Sequence, residues 1–334
     1  MWLSMKNQKF AFYTTTLLIV VLVLGGLFKF LYGEKKSNFI VFVGGSETSN
    51  FAQTIAKGAK LAAQDVNVNI ELIWSNWDFD KMVLQFKQAI DKNPDGIAMM
   101  GHPGEDALSD LMDEADRKNI LVTSLNVPLP SVEEKYYPNG FGYVGQNVHQ
   151  AGVDLAKASI NRFNIEKGDL ILFFGTENIP IRGQRSTGAR KIFESNGVEI
   201  IYIEKVLFDT RQEASEWQAA LLGDLIEEHR DVKLIFDDIG VNSTVKGLRE
   251  HNIAPDSIPV VGFDLSPKLL QGLKEGYIDL LSDQQAFLQG YFAVQQLTLS
   301  HRWKFSGLNI NTGSGIVTSN TVGEIEKFVE QGIR

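Results

Sequence analysis

The chain has 334 residues, enough for about two compact domains. Its 44% hydrophobic and 22% charged residues are typical of globular proteins, which excludes a disordered chain, a collagen and a polytopic membrane protein. Its 32 basic and 41 acidic residues give a net charge of -9, which argues against a nucleic-acid binder. The absence of cysteine excludes disulfides, thiolate metal sites, cysteine nucleophiles and a lipid-modified N-terminal cysteine.

An uncharged apolar segment of 19 residues runs from Phe10 to Phe28, with lysines on both sides. A helix of about 20 apolar residues spans a bilayer, and no small-x-small peptidase site follows this one. The segment therefore predicts an uncleaved transmembrane anchor within a first region, residues 1–37. A cleaved signal peptide is the alternative. Residues 1–37 hold five lysines and one glutamate, a net charge of +4, which leaves -13 for the predicted extracytoplasmic body.

From Asn38 onward, short apolar runs alternate with amphipathic stretches, a pattern typical of strand–helix units in a mostly parallel α/β sheet. A polar segment with proline and glycine, residues 126–140, separates the first four units from the rest and predicts a crossing between two lobes. Ten strands are predicted, too many for one small sheet: 39–44, 68–74, 96–100, 120–125, 141–145, 170–175, 198–207, 233–238, 258–263 and 278–283.

Polar and aromatic side chains recur just after the predicted strands, where open parallel sheets bind their ligands. Amides, carboxylates and guanidinium groups beside aromatic faces suit a polyhydroxylated ring. Each residue alone is equally compatible with a helix cap or a turn, so the recurrence is what indicates a site. The candidates, in chain order, are Ser46, Phe51, Trp77, Asn126, Gln146, Asn147, Arg182, Arg185, Asp237, Asp238, Asp264 and Gln284.

Three stretches, YVGQNVHQAG (143–152), GFDLSPKLLQGLKEGYIDLLSDQQAFLQGY (262–291) and GSGIVTSN (313–320), resemble the simple-sugar substrate-binding proteins of bacterial ABC importers. These are members of the type I periplasmic binding protein superfamily. The resemblance implies two Rossmann-like lobes with parallel sheets, joined by a three-stranded hinge and closing on one sugar. It further implies an N-terminal lobe of residues 38–143 plus 284–312 and a C-terminal lobe of 144–283 plus 313–334.

The same resemblance implies roles for individual residues. In the family, a guanidinium group clamps the sugar oxygens, and Arg185 matches that position, with Arg182 as a competing arginine. The alignment is open by one position between Asp237 and Asp238, so either aspartate could be the ligand-binding one. The remaining matches are Phe51 as a stacking aromatic, Asn126 as a polar ligand, Gln146 and Asn147 as a ligand-facing pair, Asp264 as the carboxylate of its turn and Gln284 as the hinge glutamine.

The sequence departs from the family in two places. The first loop usually reads Asn-Pro-Phe-Trp, whereas this chain has Ser49 to Ala52 there, so the second stacking aromatic is missing and Trp77 is the candidate replacement. The apolar segment also lacks a lipobox cysteine, a feature shared with membrane-anchored sugar-binding proteins that report to a sensor histidine kinase.

We expect a binding protein for a monosaccharide such as xylose, ribose or galactose, without metal or cofactor and without turnover. Its membrane partner is predicted to be either an ABC permease or a histidine kinase. A cleaved, soluble importer component is the main alternative, and a sugar-processing enzyme or a LacI-type regulator is a further one. Enzyme motifs give little support: the G-x-G-x-x-G match at Gly140–Gly145 lies in a predicted strand, and the five histidines lack metal-ligand spacing, although His102 could reach a sugar.

Overall fold

Strands and helices alternate along the chain as the hydrophobic pattern predicts. The structure is a computed structural model, and it describes residues 36–206, 208, 210–313 and 315–334. Its strands are β1 (Asn38–Gly44), β2 (Asn69–Trp74), β3 (Gly96–Met100), β4 (Leu121–Leu125), β5 (Gly142–Gly145), β6 (Leu170–Gly175), β7 (Glu199–Glu204), β8 (Val232–Asp237), β9 (Val260–Phe263), β10 (Leu280–Asp283), β11 (Asn309–Asn311) and β12 (Gly315–Val317).

The helices of the described residues follow most strands and cover both faces of the sheets. A short 3-10 helix, Tyr137–Asn139, precedes β5. The α-helices are α1 (Asn50–Asp65), α2 (Phe79–Asp91), α3 (Glu105–Arg117), α4 (Pro130–Tyr136), α5 (Val148–Phe163), α6 (Gln184–Ser195), α7 (Arg211–Glu228), α8 (Val241–Glu250), α9 (Pro267–Lys274), α10 (Ala286–Trp303) and α11 (Val322–Glu330).

The strands form two six-stranded sheets, and each sheet is the centre of one lobe. The first sheet has the order β11-β5-β4-β3-β1-β2 and the second has the order β12-β10-β9-β8-β6-β7. All strand pairs are parallel except β10 with β12. Because helices cover both faces, central strands are apolar throughout, and residues 39–43 of β1 are all buried. The predicted two-lobe α/β fold with parallel sheets is confirmed.

The chain passes between the two sheets three times. It passes after β5, again between β10 and α10, and finally between β11 and β12. Helix α10 returns to the first lobe, where Ala293 and Leu297 join the same buried cluster as Phe39 and Phe42 of β1. Helix α11 packs in the second lobe through Val322. Each lobe is therefore built from separate pieces of the chain.

Several predicted boundaries need correction. Residues 126–140 do not cross between lobes, because they form α4 and the 3-10 helix between β4 and β5 of one sheet. The predicted lobe boundary after residue 143 falls inside β5, so we propose that the first lobe extends through residue 145. Strand β7 ends at Glu204 because its partner β6 ends at Gly175, the residue paired with Glu204. Strands β11 and β12, which have three residues each, were not predicted from the sequence.

The predicted membrane segment Phe10–Phe28 lies outside the described residues. Within the part of the chain that the structure does describe, no helix combines the length and the apolar character needed to cross a bilayer.

Candidate functional site

The strand order places the site at the carboxyl ends of both sheets. In the first sheet the chain moves outward from β1 to β2 and then back to β3, so the crevice between β1 and β3 opens at the carboxyl end of the sheet. The second sheet repeats this arrangement with β6, β7 and β8. The loops that follow β1 and β3 therefore face one part of the site, and those that follow β6 and β8 face another.

Asp238 is the centre of a buried charge cluster in the second lobe. Arg182 donates from Nη1 to Oδ2 of Asp238 at 3.0 Å and from Nη2 to Oδ1 at 2.9 Å. Arg185 donates from Nε to Oδ1 at 2.6 Å, and its guanidinium group stacks on the ring of Phe263 at 3.6 Å. The hydroxyl of Thr176 donates to Oδ2 at 3.1 Å. The carboxylate thus fixes two arginines in one orientation at the ends of β6 and β8.

The charge balance of this cluster keeps Asp238 ionised. Burial alone disfavours the carboxylate, but the positive charges of Arg182 and Arg185 outweigh burial and hold the pKa of Asp238 well below its usual value. The side chain of Asp238 is fully buried, and that of Arg182 keeps 17% of its surface exposed. The carboxylate of Asp264 also acts electrostatically on both arginines, so two guanidinium groups and two carboxylates lie together in this part of the site.

The neighbouring Asp237 belongs to the protein interior, where four hydrogen bonds within the second lobe engage its carboxylate. Its Oδ1 accepts the backbone N–H groups of Ile239 and Gly240, each at 2.8 Å. Its Oδ2 accepts from Gln218 at 2.9 Å and from the Thr244 hydroxyl at 2.7 Å. Burial raises the pKa of Asp237. The structure gives no support to Asp237 as a ligand-binding residue, because both of its carboxylate oxygens already accept hydrogen bonds from the turn after β8 and from side chains of α7 and α8.

An aromatic wall lines the first-lobe side of the site. The rings of Phe51 and Trp77 lie 6.0 Å apart, and Trp77 lies 5.2 Å from the His102 ring. The centroid of the Phe79 ring lies 5.8 Å from that of the His102 ring. Trp77 rests on the end of β1, where a Cβ added to Gly44 would lie only 2.5 Å from its ring. The glycine at this position therefore leaves room for the Trp77 ring against the end of β1, and its role as a stacking aromatic stays a prediction.

His102, at the end of β3, carries a buried polar atom without a partner in the described residues. Its Nδ1 has no hydrogen bond, although its ring is enclosed by Trp77 and Phe79. Burial is the largest cause that lowers the pKa of His102, and together with the nearby cations Arg182, Lys205 and Arg185 it brings the pKa to about 3. The imidazole is therefore neutral at neutral pH and can accept or donate a hydrogen bond.

Amide side chains join the lobes where the chain crosses between them. Asn126 donates from Nδ2 to Oε1 of Gln284 and to Oε1 of Gln289, both at 2.9 Å. Gln146 donates to Oε1 of Gln284 at 3.4 Å, and its own buried Oε1 has no partner among the described residues. The amide of Gln284 also donates to Asp264. Gln284 thus connects both lobes, as expected of a residue at a hinge.

A cavity joins several of these residues. It is lined from the first lobe by Phe51 and Thr54, and from the second lobe by Asp264 and Leu265, with Asp283, Gln284, Ala286 and Arg334 at the crossing. Arg334 donates to Oδ2 of Asp283 from Nε at 3.0 Å and from Nη2 at 2.7 Å. Of the predicted residues, the aromatic Phe51, the carboxylate Asp264 and the amide Gln284 therefore line one space.

The two lobes also touch through the loop after β6. Ile181 packs against the buried core of the first lobe, and a Cβ added to Gly104 would lie 3.9 Å from the Pro180 Cβ. This loop carries Arg182, so the contact brings the charge cluster towards the aromatic wall.

Two predicted residues, Asn147 and Ser46, make side-chain hydrogen bonds within their own segments. Asn147 is exposed and caps α5, because its side-chain oxygen accepts the N–H of Gln150 at 3.0 Å. The structure does not place it with the other candidates, so the ordinary helix-cap interpretation is the better one. Ser46 lies in the loop after β1, and its described side-chain hydrogen bond is to Thr48 at 3.0 Å.

Several residues of the site were not predicted. Thr176 and Ser186 complete the charge cluster, Gln289 completes the amide network, and Arg334 lines the cavity. Thr176 could have been predicted, because it is a polar residue directly after β6, as the other candidates follow their strands. Gln289 and Arg334 lie on elements that return from a distant part of the sequence, and no local pattern places them. The described residues contain no group of side chains suited to holding a metal ion.

Comparisons with known proteins agree with this geometry. A family described as "Periplasmic binding protein domain" matches residues 40–299. The chain is 27% identical to the xylose/arabinose-binding protein XylF of Sulfolobus acidocaldarius, over 88% of this chain and 75% of that protein. It is 26% identical to the HTH-type transcriptional regulator RegA of Clostridium saccharobutylicum, over 65% of this chain and 62% of the regulator. The crystal structure of GanP, a glucose-galactose binding protein from Geobacillus stearothermophilus, matches with a TM-score of 0.74 at 20% identity, over 86% of this chain and 99% of that one.

Proposed function

This chain belongs to the periplasmic binding protein domain family, and from that premise we propose that it binds one monosaccharide between its two lobes outside the cytoplasm. One arrangement supports this proposal most directly. The arginine cluster held by Asp238 lies in one lobe, and the aromatic wall of Phe51 and Trp77 lies in the other. A sugar ring has hydroxyl groups at its edge and C–H groups on its faces, so it can use both surfaces at once.

The polar groups suit an uncharged ligand with many hydroxyls. Arg182 and Arg185 supply donors in fixed directions, while Asp264 and Gln284 supply an acceptor and an amide at the crossing. Bonds between a neutral hydroxyl and a charged group contribute roughly 1.5 to 3 kcal/mol each, enough for selective binding. A pentose such as xylose or ribose, or a hexose such as galactose, fits these requirements, and the similarity to a xylose/arabinose-binding protein supports the pentose.

We propose that the membrane partner detects sugar binding through the closure of the two lobes. A sugar that contacts both lobes stabilises the closed state by its greater affinity for that state. Gln284 is suited to couple binding to closure, because its amide contacts Asn126 of the first lobe and Asp264 of the second. No bond in the sugar needs to break, so no catalytic turnover is part of this proposal.

The membrane partner follows from how the chain is held at the membrane. We propose that Phe10–Phe28 remains as a transmembrane anchor, because 19 uncharged residues flanked by lysines suffice to cross a bilayer. An ABC sugar importer is one partner, supported by the family and its relatives. A sensor histidine kinase is the second candidate, favoured by an anchor without a lipobox cysteine. N-terminal sequencing of the mature protein separates these: a start near Phe28 or later favours a released importer component, and a retained Met1 or Lys6 favours the sensor.

The binding proposal is tested by thermal unfolding of the full chain with xylose, arabinose, ribose, glucose and galactose. We expect one of these sugars to raise the unfolding temperature of the wild type and to have little effect on Asp264→Asn, which removes the cavity-lining carboxylate. Asp231→Asn, an exposed carboxylate before β8, is the matched control and should respond like the wild type. An equal response of Asp264→Asn and wild type would contradict the assignment of this cavity.

A further inference from the structure

A patch of exposed aromatic side chains lies on the first lobe, away from the cleft. Trp303, at the end of α10, has 61% of its surface exposed, Phe305 has 57% and Tyr137 has 46%. Leu308 is exposed as well. These four residues, here called the Trp303 patch, are held together because the N–H of Gly307 donates to the carbonyl of Tyr137 at 2.8 Å. Large side chains grouped on a surface in this way indicate an interaction site.

The Trp303 patch lies at the end of the lobe where the parallel strands begin. The N–H of Asp95, before β3, donates to the carbonyl of Asn38 at 2.9 Å, so the first residues of these strands are neighbours. His301, two residues before Trp303, packs edge-on against Phe39 at 6.1 Å. The cleft is at the opposite, carboxyl ends of the strands, so a partner on the patch would not block the cleft.

The chain enters the first lobe at this same end, through the start of β1. Strand β1 begins at Asn38, and nine residues separate it from Phe28. Such a connection reaches at most about 35 Å when fully extended, roughly the thickness of a bilayer core. In a chain anchored through Phe10–Phe28, the start of β1 could therefore lie no farther than about 35 Å from the end of the anchor.

The chemistry of the patch suits the bilayer interface. Tryptophan and tyrosine concentrate at the headgroup level of membranes, where an apolar ring with a polar edge is most stable, and basic side chains commonly accompany them. Lys304 is exposed beside Trp303, and the guanidinium of Arg302 donates to the carbonyl of Val66 at 2.6 Å. The carboxylate of Asp95 lies close to His301, so the surface is mixed in charge and its aromatic rings would supply most of the affinity.

We propose that the Trp303 patch rests in the headgroup region of the lipid bilayer and holds the first lobe at the membrane surface, with the cleft facing away from the lipid. This inference depends on the membrane anchor of the proposed function but not on the identity of the sugar. A fixed first lobe would leave the second lobe as the moving part during closure.

The test uses the full chain reconstituted into phosphatidylcholine vesicles with ordinary or dibrominated acyl chains, because bromine quenches tryptophan at short range. The emission of Trp303 is obtained as the difference between wild type and Trp303→Phe. The matched variant is Trp217→Phe, which removes a partly buried tryptophan of α7 in the second lobe. We expect loss of the Trp303 emission in the brominated vesicles and no loss of the Trp217 emission.

Flotation of the vesicles separates the two ways in which the idea can fail. If the chain floats with the vesicles but the Trp303 emission survives bromination, the anchor stands and the patch proposal is overturned. Protection of Trp303 from aqueous acrylamide without bromine quenching would overturn it in favour of a second copy of the chain. A chain that does not float would contradict the anchor, and with it this inference, while sugar binding would remain to be judged from thermal unfolding.

Discussion

Asp237 and Asp238 are adjacent in sequence but do different things, because successive side chains of an extended segment point to opposite faces. Asp237 turns towards Gln218 and Thr244 and fixes the turn after β8. Asp238 turns towards Arg182 and Arg185 and fixes the orientation of both guanidinium groups. A shift of one position would therefore exchange a structural residue for one that organises the site.

His102 makes the stability of the protein depend on pH, because its enclosed imidazole is neutral at neutral pH. Its pKa falls to about 3 in the folded protein, whereas a histidine in the unfolded chain titrates near 6.5. Between these values the unfolded state binds more protons, so His102 makes the protein less stable as the pH falls from about 6.5 towards 3.

We expect His102→Gln to reduce this pH dependence, because glutamine cannot take up the proton. Chemical denaturation at pH 7 and pH 5 should show that the variant loses about 1 to 2 kcal/mol less stability than wild type over this interval. The comparison between the two proteins removes the contribution of other titrating groups. An equal loss of stability in both proteins would show that His102 is readily protonated in the folded state.

At the scale of elements, close helix pairs hold the pieces of each lobe together. In the first lobe, α1 and α10 approach so closely that a Cβ on Gly58 would lie 1.9 Å from the backbone oxygen of Phe287. A Cβ on Gly290 would lie 2.0 Å from the oxygen of Ile55. The contact fixes α10 directly after Gln284, so it also fixes one side of the hinge.

Gly58→Ala should therefore destabilise the protein, because backbone atoms cannot move aside as a flexible side chain can. We expect a loss of about 1 to 3 kcal/mol in the free energy of unfolding, measured by denaturant titration. Gly323→Ala in α11 is the matched control, because a Cβ there meets nothing within 4 Å. Alanine at position 323 should be neutral or stabilise by up to about 1 kcal/mol. Equal effects of the two substitutions would contradict the close packing of α1 and α10.

The sequence predicted elements better than connections. Apolar runs such as that of β6 were located correctly because burial on both faces of a parallel sheet leaves a continuous hydrophobic signal. The polar stretch 126–140 was predicted to be an inter-lobe crossing. It instead folds within one lobe, where, for example, the carboxylate of Glu133 accepts a hydrogen bond from the Leu129 N–H. Arg334 and Gln289 could not be placed from local patterns, because their site contacts depend on long-range packing.

In the whole molecule, we propose that a sugar draws the two lobes together. Each lobe supplies one kind of surface, and neither the arginine cluster nor the aromatic wall encloses a ligand alone. The first lobe includes Phe51 and Trp77, and the second includes Arg185 and Asp264. Binding and closure are therefore expected to be one equilibrium, with the crossing segments around Gln284 as the hinge.

The measurement that tests this claim most directly uses the absence of native cysteine. In the double variant Gly104→Cys and Pro180→Cys, the two Cβ atoms would lie about 3.9 Å apart across the lobes, within the range of a disulfide. The positive φ of Gly104 adds strain, but that strain is the same with and without sugar. We expect the disulfide to form faster in saturating amounts of the sugar selected by thermal unfolding than in its absence. Equal rates of formation under both conditions would contradict closure of the lobes on the sugar.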